Sequence, residues 1–91
     1  MKLLLKGLGI IEIIDAKRTA GGDILVKSVD NFKKIAGTTF YKITEVFLTE
    51  VDFIWNLVAW LDIPDDSWYI EDALVFQIEN QDDVYRLNAR L

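Results

Sequence analysis

Five carboxylates crowd one short stretch: Asp62, Asp65, Asp66, Glu71 and Asp72. Carboxylates at close quarters can hold a divalent cation, or can divide into general acid and general base where burial lifts one pKa. The spacing lacks the alternate-position ligands and central glycine of a helix-loop-helix calcium site. A solvated acidic turn, able to dock on a basic partner, is the reading it supports. Neither histidine nor cysteine occurs among the 91 residues, which removes Ser-His-Asp and Cys-His nucleophiles and zinc sites of the thiolate or imidazole kind. Ser28 and Ser67 have no lysine spaced to activate them, and Gly7-Leu8-Gly9 lacks the third glycine of a dinucleotide fingerprint and the Lys-Ser/Thr of a phosphate loop. No catalytic residue, metal ligand or cofactor site is assigned, and the chain is read as not an enzyme.

Charge and aromatic placement say more. Residues 1–45 carry eight Lys/Arg against five Asp/Glu, whereas residues 46–91 carry two Arg against ten acids. Opposed patches of this kind steer encounters and suppress wrong pairings. The basic half offers Lys17, Arg18, Lys27, Lys33 and Lys34 as one face, with Lys42 beyond them. In the acidic half, Trp55, Trp60, Trp68 and Tyr69 flank the turn bearing Asp65 and Asp66. Tryptophan and tyrosine anchor interfaces more often than other residues, so these four aromatics and two aspartates form the expected partner-binding set.

The elements that would position these residues read as one domain spanning 1–91. Leu3 to Asp15 is aliphatic and β-branched with Gly7 and Gly9 inside, which suggests one bent strand or two short ones. Ala16 to Gly22 is polar and ends in a glycine pair, and Asp23 to Val29 follows as a second strand, giving a hairpin with a basic tip. Asp30 to Gly37 is read as a loop. Thr38 to Leu48 is rich in β-branched and aromatic residues on both parities, as in a strand covered on both faces.

Thr49 to Ile63 reads as a helix: Thr49 as cap, Asp52 three residues on, Pro64 as stop, and an apolar face wider than core packing needs. Trp68 to Glu79 has strand character. Val84 to Leu91 alternates and is expected to be a strand, while a helix opening at Asp82-Asp83 with Val84, Leu87 and Leu91 on its spacing is the competing reading.

The sum is an α+β, mostly β fold: a small five-stranded barrel-like sheet with one helix between the third and fourth strands. That order resembles an OB-type Greek-key barrel, and an SH3-like barrel with an inserted helix fits nearly as well. The resemblance is to an architecture only.

Hydrophobic residues make up 52 % of the chain, and mean hydropathy is +0.20, high for a small soluble domain. A non-catalytic protein-protein interaction or assembly module is therefore expected, of the sort common among phage structural and accessory proteins. Its partner would be a protein with a basic surface or another copy of itself, in a homo-oligomer. The expected address is the cytoplasm or an assembled particle, since apolar runs fall short of the roughly 20 residues a membrane helix needs, and Lys6 and Glu12 interrupt a signal-like start. The alternative is an OB-like single-stranded nucleic-acid binder using the basic N-terminal half. Segregation of the aromatics from the lysines, and a net charge of −5, count against it.

Overall fold

The computed structural model describes the backbone of residues 1–30, 32–35, 39–63 and 67–91, and the side chains of residues 1–30, 43–59 and 74–91. Its strands are β1 (Lys2–Leu5), β2 (Gly9–Arg18), β3 (Ile24–Ser28), β4 (Phe32–Ile35), β5 (Thr39–Val51), β6 (Ile54–Ile63) and β7 (Ser67–Gln77), followed by helix α1 (Gln81–Arg90). Neighbours run β1-β2-β3-β5-β6-β7, all antiparallel, and β4 pairs with the early half of β5 while β3 pairs with its later half. β3 and β4 thus share one edge of β5, and the strands fill six positions. Leu5 bridges Ile78, the Lys6 amide donates to the Gln77 carbonyl at 3.0 Å, and the Glu79 amide donates to the Leu4 carbonyl at 2.9 Å. These bonds join the first strand position to the last, making a nearly closed six-stranded barrel that leaves few unpaired edges.

Alternation explains which side chains fill it. Leu3 and Leu5 of β1, Ile11 and Ile13 of β2, Ile24 and Val26 of β3, Val46 and Leu48 of β5, and Trp55, Leu57 and Ala59 of β6 all point inward and are buried. One residue breaks the rhythm in β2. Ile13 pairs with Ser28 and Asp15 with Lys27, so Ile14 is an extra residue, left exposed, and Ala16 then turns inward while Asp15 and Lys17 turn out. A second register shift, between Lys42 and Phe47 of β5, lets both Ile43 and Val46 face the core.

The glycine-interrupted start is two strands, with Gly7 and Gly9 at positive φ around their turn, and the hairpin expected from Ala16 onward is β2-β3. Four expectations are corrected. The helix over 49–63 is instead the end of β5, a tight turn and β6; an apolar outer residue, Val58, between inward Leu57 and Ala59 widened the apolar pattern until it mimicked a helix. Asp30 to Gly37 contains the short strand β4. The only helix among the described residues follows the last strand, where Asn80 caps it by accepting from the Asp82 amide at 3.2 Å and Asp82 and Asp83 occupy its positive first turn. Val84 is buried in the core and Leu87 packs against it, so the i, i+3 pair rather than strand alternation orders this segment. Nor is the order a five-stranded Greek key. Apart from β4, each strand neighbours its predecessor, as in an up-and-down meander.

Candidate functional site

Helix α1 lies between two hairpin tips at one end of the barrel. At its start, the Gln81 side chain accepts from the Trp55 amide and donates to the carbonyls of Trp55 and Ile78. Near its end, Arg18 at the close of β2 donates to the Asn88 carbonyl at 2.6 Å and to Asn88 Oδ1 at 3.1 Å. Between these anchors, Tyr85 sets its ring edge-on to Trp55, centroids 6.3 Å apart, and its hydroxyl donates to the Phe53 carbonyl at 2.9 Å. The β5-β6 tip is therefore held from below.

That tip turns in two residues, Asp52 and Phe53, with φ of 51° and 65°. Two consecutive left-handed residues make the hairpin turn that suits strand twist, and Asn-Gly or Asp-Gly is the usual occupant. Here the glycine position holds a phenylalanine whose ring is 85 % exposed. Val51 and Ile54 beside it are also exposed, so the tip is an apolar point. Carboxylates border it. Glu50 and Asp52 are exposed, and local burial, then Glu50, then Asp82 hold the Tyr85 phenol above its ordinary value of 10.0. The arrangement is an apolar point bordered by acids, with the Glu50 carboxylate close to the Tyr85 phenol.

A second surface runs across the barrel wall. Val75 of β7 stands opposite Val58 of β6, Val58 opposite Phe47 of β5, Phe47 opposite Leu25 of β3, and Leu25 opposite Lys17 of β2. All share the outward parity, giving an apolar row four strands wide that ends in a lysine. Val75 is the most open of the four apolar side chains, 61 % exposed. On one side lies the charged row Asp15, Lys27 and Glu45, with Lys27 Nζ 3.6 Å from Glu45. The other side is polar, formed by Thr49, Asn56 and Gln77, the last accepting from Lys6 Nζ at 3.3 Å. A shallow depression of about 110 Å³ opens where Asp15, Lys17, Leu25, Lys27 and Glu45 meet, below the roughly 300 Å³ at which small-molecule pockets begin.

Of the residues singled out from sequence, Trp55 is a core residue, 2 % exposed beneath the tip. Its indole Nε1 is buried with no hydrogen-bond acceptor among the described residues. Trp60, Trp68, Tyr69, Lys33 and Lys34 lie on described backbone, where Asp62 of β6 faces Trp68 and Leu61 faces Tyr69, but their side chains lie outside the described residues, as Asp65 and Asp66 do entirely. Lys17 and Lys27 share the barrel wall with Asp15 and Glu45, while Arg18 is occupied at the end of α1. The five-carboxylate stretch has no described side chain; among the described residues no group of three or more acids, histidines or cysteines could hold a metal ion. Ser28 is buried and bonded to Asp30, in a knot that also receives the Glu12 amide. No described helix is long and apolar enough to cross a membrane.

Sequence reasoning missed Phe53, Val51 and Ile54 because it wound them into a helix. The signal that could have found them is Thr49 to Ile54 read as strand end and turn, with Asp52 as the residue tolerant of left-handed geometry. Comparison with protein-family models, with curated proteins and with solved structures finds no match to this chain.

Proposed function

We propose that this protein is a non-catalytic protein-protein interaction or assembly module whose contact surface includes the β5-β6 tip. The observation that carries this reading is Phe53, a large ring 85 % exposed at a left-handed φ of 65°, where glycine would cost less. Strain and exposure combined make a poor contribution to folding. They make a good one to binding, because a rigid aromatic at a tip loses little freedom when it is covered. The carboxylates around it favour a partner with a basic, partly apolar surface. Reading the partner as protein also fits the wall, whose apolar row is open at Val75.

The alternative, single-stranded nucleic-acid binding in the manner of an OB-like barrel, needs a positive groove with stacking rings. Alternation of Lys17 and Lys27 with Asp15 and Glu45 on the described wall gives it less support. The two readings separate in solution. Association predicts a light-scattering mass that rises with concentration, or a defined complex with a basic protein, and no salt-dependent retention of single-stranded DNA. Retention that weakens steeply with salt would instead replace association with the nucleic-acid reading.

A further inference from the structure

We infer that the partner of the Phe53 tip is the side wall of a second copy of this chain, the apolar row of Leu25, Phe47, Val58 and Val75 beside Lys17. This rests on the association reading above and gives it a geometry. Both surfaces belong to one molecule, and each supplies what the other lacks. The tip is an apolar point (Val51, Phe53, Ile54) with Glu50, Asp52 and Asp82 around it. The wall is a half-buried apolar strip, most open at Val75, with exposed Lys17 at one end, which makes no salt bridge among the described residues, and Lys6 across the polar row at the other; Asp15 and Glu45 border it on the side of Lys27. Bringing tip to wall buries the ring that β5-β6 leaves in water, and turning the tip's carboxylates toward Lys17 and Lys6 and away from Asp15 and Glu45 fixes the orientation.

The two surfaces lie at different places on the barrel. The tip is at the end that α1 covers, whereas Phe47 is set back along β5, behind Leu48, Thr49, Glu50 and Val51, and faces sideways. A single tip-to-wall contact is not self-complementary: one copy keeps a free wall and the other a free tip, and these either close on each other as a reciprocal pair or carry growth on into a ring or a filament.

Mixing variants tests this. Phe53→Gly removes the ring and places Asp-Gly, the favoured pair, in the turn, so that variant folds at least as well as the parent. Leu25→Glu puts a carboxylate at the Lys17 end of the apolar row, facing the acidic tip and neutralising that lysine; Val75→Glu, at a more exposed position at the other end of the row, is the second wall variant should Leu25→Glu disturb the barrel. Sedimentation velocity should show each variant alone as a monomer at concentrations where the parent forms larger species. A mixture of tip and wall variants should give a 1:1 species at twice the 10.5 kDa chain mass and nothing larger, because one intact tip meets one intact wall and no second contact remains. Parent chains that assemble while the mixture stays monomeric would overturn the tip-to-wall geometry and leave self-association standing. A parent that is monomeric at high concentration yet binds a basic protein through Phe53 would overturn self-partnering alone. Loss of both kinds of binding would remove the association reading with it.

Discussion

The two hairpin tips at the α1 end solve the same backbone problem in opposite ways. In the β2-β3 tip the Thr19 amide donates to the Asp23 carbonyl at 2.9 Å, the Gly22 amide donates to the Thr19 carbonyl at 3.1 Å, and the left-handed position, φ 89°, is given to Gly22. The β5-β6 tip gives its two left-handed positions to Asp52 and Phe53. α1 holds both, through Asn88 and Arg18 on one side and Tyr85 on the other. Equal support with unequal residue choice means that the second tip is shaped by something other than turn stability. Local rules of this sort are broken in folded proteins mainly where a site requires it.

The comparison can be broken most forcefully from beneath. Trp55→Ala removes the buried ring on which the second tip stands, and urea unfolding should register a loss of about 3–5 kcal/mol. A loss below about 1 kcal/mol would mean that the tip does not depend on that ring. The tips themselves should then respond with opposite signs. A Cβ at Gly22 would meet no atom within 4 Å, so Gly22→Ala carries backbone strain alone and should cost about 1 kcal/mol. Phe53→Gly should instead raise the melting temperature, by the equivalent of up to about 1 kcal/mol; a fall would show that the ring packs within its own chain and would erase the contrast.

Tyr85→Phe gives the smallest effect and a dependence on pH. Because the folded phenol titrates above its ordinary value, its contribution is complete below pH 10 and is lost as pH rises through the raised folded value. The stability gap between parent and Tyr85→Phe should therefore be constant from neutral pH to about pH 9 and narrow above it. A gap that widened with alkali would contradict the assigned direction.

Legibility of this fold from sequence followed how cleanly each strand alternates. β2 and β3 were readable because glycine and polar residues mark their turn and inward Ile and Val recur at every second position. β6 was not, since its outward Val58 is apolar too, and a strand oily on both faces carries little period-2 signal. The turn before it has no glycine, so the strongest short-range hairpin cue was missing at the very tip where Phe53 now stands. α1 was half legible: Asn80, Asp82 and Asp83 are proper start signals, but Tyr85, Leu87, Ala89 and Leu91 happen to alternate as well. Of the expected partner-binding residues, only Trp55 has a described side chain, and it proved to be core, which a tryptophan's composition-level preference for interfaces cannot distinguish.

Helix α1 also works as a crossbar. Its Tyr85 and Asn88 sit three residues apart, one turn along a single rigid rod, and each grips a different loop. Whatever seats itself on Phe53 pulls on that rod, so the distant Thr19–Asp23 loop should feel the load through Arg18, as a change in the exchange rate of its amides with solvent deuterium.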